Sequence, residues 1–237
     1  MVNEIDFTGF SPKVFHFYRD LALHNNRAWF EAHKQDYKGY VLAPAHDFVL
    51  ALGKKLQTLS PYIGYDAQTG GRGSIHRIYR DIRFSKNKTP YKTNLGIFFW
   101  MGERRPGSVT PGFWFHLDAE GARFYAGMYE FSPEELRAFR AAVDDGRKGV
   151  GLKKMITALE KHKGYSVGGE FYKRMPGGFD PGHKRAELLR YNSLYAVSPL
   201  MKPSSVTSSK LLAECYAQCK VMYGLTEWLM KLKLASY

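Results

Sequence analysis

Two cysteines in 237 residues leave this chain without a disulfide framework. Cys215 and Cys219 stand four apart in a helical pattern, on one face but in poor geometry for bridging, so both are expected as reduced core thiols. None of the eight histidines falls at a zinc-ligand spacing with these cysteines or with another histidine, which excludes a local zinc motif. No apolar run approaches the ~18 residues that a bilayer span requires. The opening MVNEIDFTGF lacks a basic leader followed by an apolar stretch, so a cytoplasmic protein without a membrane partner is expected. Also missing are the Walker-type phosphate loop, the dinucleotide-binding glycine triplet, the serine-hydrolase nucleophile elbow and the zinc-protease helix motif. These absences disfavour the familiar nucleotide hydrolases, Rossmann oxidoreductases, serine hydrolases and zinc proteases, and they name no cofactor.

Acids are scarce as well: 22 Asp and Glu face 35 Lys and Arg, for a formal charge of +13. What the chain has instead is 44% hydrophobic and 15% aromatic residues, enough for a substantial core. The length suits one compact domain over 1–237. Ser11-Pro12 opens a helix with Val14, Phe17 and Leu21 on one face, and Asn25-Asn26 ends it and caps the next, which runs through Trp29, Phe30 and His33 toward Tyr37. Phe48, Leu52 and Leu56 mark a third helix after Pro44, so 10–60 reads as helical.

From 75 to 130 the pattern turns mainly to strand. TNLGIFFWM (93–101), GFWFHLD (112–118) and ARFYAGMY (122–129) are aromatic-rich runs separated by Gly and Pro turns, with a hairpin at Asp118–Gly121. Ser132-Pro133-Glu134-Glu135 is a capping box with proline in the first turn, and predicts a helix to about Val143. Further helices are expected over 151–162, near 182–190, and over 205–233, where Leu211, Leu212, Cys215, Cys219, Met222, Leu225, Leu229 and Leu232 form an apolar stripe. With 132–237 mainly helical, the fold class is α+β: a central antiparallel sheet with flanking N-terminal and C-terminal helices.

The densest signal is the segment 72–92. It places Arg72, Arg77, Arg80, Arg83, Lys86, Lys88 and Lys92 against the single acid Asp81, so 21 residues carry +6 of the net charge. As a strand, 76–84 would set Ile78, Ile82 and Phe84 beside Arg80 on one face, and Arg77, Tyr79, Asp81 and Arg83 on the other. Ile75, Ile78, Tyr79 and Ile82 also fit helical spacing, but three isoleucines and the aromatic continuation favour the strand. Arg80 on the apolar face would require a partner of its own. The polar loop 85–92 follows, with Pro90 biasing Thr89 away from helical angles. Planar guanidinium groups, point-charged lysines and loop N–H groups are what oxyanion recognition uses. The candidate ligand-binding residues are therefore Arg77, Tyr79, Arg80, Arg83, Lys86, Lys88, Tyr91 and Lys92. Asp81 and His76 are the candidate acid/base groups, the latter beside cations that would hold it neutral.

Within this block the chain becomes recognisable. RIYRDIRFSKNKTPYKTN, with NNRAWFEAHKQDY upstream and RMPGGFDPGHKRAELLRYNSLY downstream, resembles the bacterial and fungal proteins grouped as domain of unknown function 2461, over Phe10 to about Tyr195. The resemblance implies a single α+β domain in a soluble protein. It carries no activity, cofactor or catalytic residue to this sequence.

Other residues have simpler explanations beside their functional ones. His116 points opposite to Phe115 and Leu117 and joins the polar face of its strand, or is a satisfied structural histidine. Asn25, Asn26 and Trp29 border a cleft or only cap a helix. His183, Lys184, Arg185 and Arg190 form part of a second, sparser basic region. Three functions follow. The first is a basic pocket for a small molecule bearing phosphate or carboxylate, with or without catalysis. The second is a nucleic-acid-binding module, and the third is a non-catalytic interaction protein.

Overall fold

The computed structural model describes residues 7–69, 73–104 and 109–235. In chain order its elements are α1 (Lys13–Leu23), α2 (Arg27–Ala32), α3 (Lys34–Tyr37), α4 (Ala43–Leu56), β1 (Ile63–Gly64), β2 (Leu95–Met101), β3 (Gly112–Leu117), β4 (Ala122–Met128), α5 (Pro133–Asp144), α6 (Lys148–Glu160), β5 (Ser166–Glu170), α7 (Ala186–Leu189), β6 (Tyr191–Val197), α8 (Pro203–Val206) and α9 (Leu211–Leu234). The strands form one antiparallel sheet in the order β1-β2-β3-β4-β6-β5, so the fold is α+β with a central sheet. The chain divides into two compact units: Met1–Phe99, Trp114–Phe124 and Leu200–Ala217 make the first, and Trp100–Phe113, Tyr125–Pro199 and Gln218–Tyr237 the second.

In the first unit, α1 buries Val14, Phe17, Tyr18 and Leu21 at helical spacing. Asn26 caps α2 by accepting the Trp29 N–H at 3.0 Å. Between α3 and α4 the backbone widens into a π-helical turn over Lys38–Leu42, where the Ala43 N–H donates to Lys38 O. The cause lies at Pro44, which has no N–H to return to the turn before it and whose ring would crowd that turn's carbonyl. Strand alternation then builds the core. Phe99, Phe115 and Phe124 point inward, where the Phe48 ring sits 4.7 Å from Phe115, and Phe115 5.2 Å from Phe124. The opposite face of β2 and β3 carries Gly96, Trp114 and His116. Gly96 is required there, because a Cβ would stand 2.4 Å from the Trp114 ring.

In the second unit, Ser132 and Glu135 form the expected capping box. The same Glu135 carboxylate meets Lys233 in a buried ion pair at 2.7 Å. Arg185, also buried, closes the other end of α5 by donating to the carbonyls of Val143, Asp144 and Asp145. Along α9 most of the expected stripe is buried, from Leu211 through Cys215, Cys219, Met222 and Leu225 to Leu229, whereas Leu212 and Leu232 are only half-buried. Neither cysteine is in a disulfide, and burial pushes the Cys219 thiol up. No helix among the described residues is long and apolar enough to cross a membrane.

Two expectations are corrected. The first concerns 132–237, which is mainly helical as read but also contains the strands β5 and β6, paired antiparallel. Gly168 and Gly169 make β5 a poor strand former by propensity, but the Tyr195 ring lies where a Gly168 Cβ would stand 2.8 Å from it. Tertiary packing thus chooses glycine there. The second is 76–84, which is neither strand nor helix. Isolated bridges join Ile75, just before it, to Ile97, and Tyr79, within it, to Tyr91. Around the second, Arg80 N donates to Pro90 O at 2.9 Å and Lys92 N to Ile78 O at 2.7 Å. The next bond would need a Pro90 N–H, which does not exist, so the ladder stops.

Candidate functional site

The broken ladder decides how the basic block is used. Where the backbone stops pairing, the Arg80 side chain takes over. Its Nη1 donates to Thr89 O at 3.1 Å and to Thr89 Oγ1, and Nη2 reaches Ser85 Oγ at 3.4 Å. The partner that Arg80 required is therefore its own loop. Asn25, which the sequence offered as a cap, instead docks this loop. Its Nδ2 donates to Tyr91 O at 3.0 Å, while its Oδ1 accepts the Tyr91 N–H at 3.1 Å. The Tyr91 ring is buried and stacks on Phe30 at 4.2 Å, and burial raises its hydroxyl pKa.

Two clefts of about 380 Å³ each adjoin this arrangement. One is lined by Arg80, Asp81, Lys92, Asn94, Gly96, Trp114 and His116. The other is lined by Asn25, Arg80, Asn87, Thr89, Lys92 and Asn94 together with Ala22, Tyr91 and Thr93. Arg80, Lys92 and Asn94 belong to both. Lys92 is half-buried, with Nζ donating to Arg77 O at 3.0 Å. Burial, assisted by the nearby Arg77 charge, lowers its pKa below the ordinary lysine value. His116 Nε2 lies 3.1 Å from Asp118 Oδ2, and Asp118 Oδ1 accepts the Glu120 N–H at 2.8 Å. A carboxylate held by the turn thus orients the imidazole in the cleft, the arrangement that proton transfer by histidine uses.

The remaining members of the block lie elsewhere. Asp81 is at the lip of the first cleft, exposed and paired side by side with Arg83, at 2.7 Å between Oδ2 and Nη2. Hydrogen bonds from the Arg83 side chain and backbone pull the Asp81 carboxyl down to about 2. So strong an acid is a poor proton acceptor near neutrality, which weighs against Asp81 as a general base. His76 turns its ring edge-on to Trp114 at 4.5 Å between centroids. Arg77, Arg83, Lys86 and Lys88 are exposed, with Lys88 Nζ on Ile82 O at 2.9 Å. Tyr79 faces outward beside Tyr91. Phe84, expected on the apolar face, is exposed instead. Arg72 lies outside the described residues.

In the second basic region His183, Arg185 and Arg190 are engaged within their own unit, and Lys184 is exposed. His183 stands 3.3 Å from Asp144, and Arg190 2.6 Å from Glu170, while Arg185 caps α5. Among the described residues no three His, Cys, Asp or Glu side chains gather as a metal site requires. The sequence reading missed Asn94, Trp114 and Asp118. Asp118 carried a signal, two residues beyond His116 on one strand face. Trp114, two residues before His116 on the same face, carried the same signal, while nothing in the sequence placed either residue beside Arg80, with which Asn94 and Trp114 line one cleft.

Residues 13–228 match the family model described as "Conserved hypothetical protein (DUF2461)". A comparison with curated proteins finds no match.

Proposed function

Because the chain belongs to the DUF2461 family of conserved hypothetical proteins, a membership that brings no activity with it, we propose a function from the cleft alone: binding of a small molecule that carries a phosphate or carboxylate. The observation that supports this reading is the sharing of Arg80, Lys92 and Asn94 by both clefts. An anion there would meet a planar guanidinium, an ammonium and an amide donor at the junction of two adjoining spaces. Arg80 is fixed by Thr89 and Ser85, so its charge is already oriented before a ligand arrives. The second space offers room for the rest of the molecule, and the His116–Asp118 pair offers a proton relay beside it. The setting is cytoplasmic, where Cys215 and Cys219 stay reduced.

The test is a thermal-shift panel of phosphometabolites, nucleotides, dicarboxylates and sulfate at low salt, run on the native protein and on Lys92→Met. A ligand at 100 times its dissociation constant should stabilise the native protein by ~2.7 kcal/mol. Lys92→Met should fold and lose most of that gain. Equal stabilisation of the two proteins, or none of either, would overturn the reading.

A further inference from the structure

Phe84 is 95% exposed, the most exposed large apolar side chain among the described residues. A scattered exposed apolar group is ordinary, but this one stands on a loop whose polar groups are tied down around it. Arg80 holds Ser85 and Thr89, Asn87 Oδ1 accepts from both the N–H and the hydroxyl of Thr89 at 2.9 Å, and Lys88 Nζ sits on Ile82 O. Such a loop does not fold Phe84 away when no partner is present. The ring is presented to solvent by construction.

Its surroundings specify the partner. Residues 81–89 hold three cations, Arg83, Lys86 and Lys88, against Asp81. Arg83 is committed to Asp81, and its guanidinium lies 5.8 Å from the Phe84 ring centroid. That leaves the two lysines as the uncompensated charge beside the ring. Tyr79, 49% exposed at the base of the same loop, adds a second aromatic. A partner complementary to this surface carries repeated negative charge and flat, unpaired π faces. A membrane-inserting tip would group several apolar side chains, whereas Phe84 stands between Arg83 and Ser85, with Ile82 half-buried.

We propose that the loop 79–88 binds single-stranded nucleic acid, with an unpaired base stacked on Phe84 and backbone phosphates on Lys86 and Lys88. Duplex nucleic acid keeps its base faces stacked internally and offers the ring only its ends, so the single strand is preferred. The loop borders the small-anion clefts through Arg80, Asp81 and Asn87, but the residues that would meet the strand, Phe84, Lys86 and Lys88, line neither cleft.

The experiment is fluorescence anisotropy with end-labelled oligothymidylate and oligouridylate of about 15 nucleotides, matched to the span of known single-strand sites. Phe84→Ala should weaken binding about tenfold, and Phe84→Trp should restore it, because any aromatic face serves. Two phosphate contacts on a single strand predict that affinity falls about sevenfold between about 50 and 200 mM salt, and that Lys86→Gln with Lys88→Gln flattens this dependence. Circular dichroism melts of the variants should match the native protein, since the ring is exposed. Native-like affinity in a folded Phe84→Ala overturns the proposal. So does failure of the native protein to bind either oligonucleotide at the lower salt. Phe84-dependent sedimentation with phosphatidylserine–phosphatidylcholine vesicles, without oligonucleotide binding, would overturn it in favour of a membrane.

Discussion

The side-chain amide of Asn25 and the main chain of Tyr91 satisfy each other in both directions, as a neighbouring strand would, although the residues are 66 positions apart. This pairing ties the basic loop to the end of α1. Asn25→Asp keeps the acceptor for the Tyr91 N–H and sets an oxygen against the Tyr91 carbonyl in place of a donor. The expected loss is about 1–3 kcal/mol, the cost of an unmade hydrogen bond at a part-buried site. Urea unfolding measures it, and an unchanged midpoint would show that the loop is anchored elsewhere.

Glu135 serves two partners at once, the Ser132 N–H and the Lys233 ammonium. Glu135→Ala leaves Lys233 charged and buried, so a loss of about 3–5 kcal/mol is expected. Replacing both residues, as Glu135→Leu with Lys233→Met, should recover a large part of it. If the double variant is no more stable than Glu135→Ala alone, the penalty does not come from the stranded charge.

Asp81 titrates in the folded protein at about 2, below the ~3.9 of an unfolded chain. The fold favours its carboxylate. Its contribution is therefore present above about pH 4 and fades as the pH falls through about 2. The urea midpoints of the native protein and Asp81→Asn should differ at pH 6 and converge near pH 2. A gap that persists at pH 2 would assign the effect to packing instead.

Lys92 has a linkage of the same sign but from the opposite cause, since here it is the charged form that the fold penalises. Its folded pKa is lowered, so the fold disfavours its charged form, and the penalty lifts as the pH rises toward the ~10.4 of an unfolded lysine. Inorganic phosphate binding at the cleft should weaken as Lys92 loses its proton, approaching about tenfold per pH unit above that lowered pKa. Lys92→Arg should bind with little change over the same range. A matching alkaline loss in the arginine variant would remove Lys92 from the site.

Much of the architecture was legible because it rests on local patterns. The α5 capping box, the α1 face, the alternation in β2 to β4 and the stripe on α9 all follow from neighbours in sequence. The block 76–84 was not legible in the same way. Its isoleucines and aromatics fit a strand, but the segment that Tyr79 meets carries Pro90, and the proline ends that ladder after one bridge. The candidate site was half legible. The cation density marked Arg80 and Lys92, but nothing local to those residues announced that Asn94 and His116 stand with them. For Asn25 the cap reading had a sufficient local explanation beside the cleft reading, and the Tyr91 backbone that it meets lies too far along the chain to be foreseen.

The clasp that Arg80 makes on Ser85 and Thr89 also bears on the rate of encounter. A loop ordered only on binding must sample its bound form, and its association is slowed by the fraction of time spent elsewhere. Here the hydrogen bonds that shape residues 80–89 are intramolecular and already made. Capture at this loop should therefore approach the speed set by diffusion and charge, and the differences between good and poor ligands should be found in how long they stay.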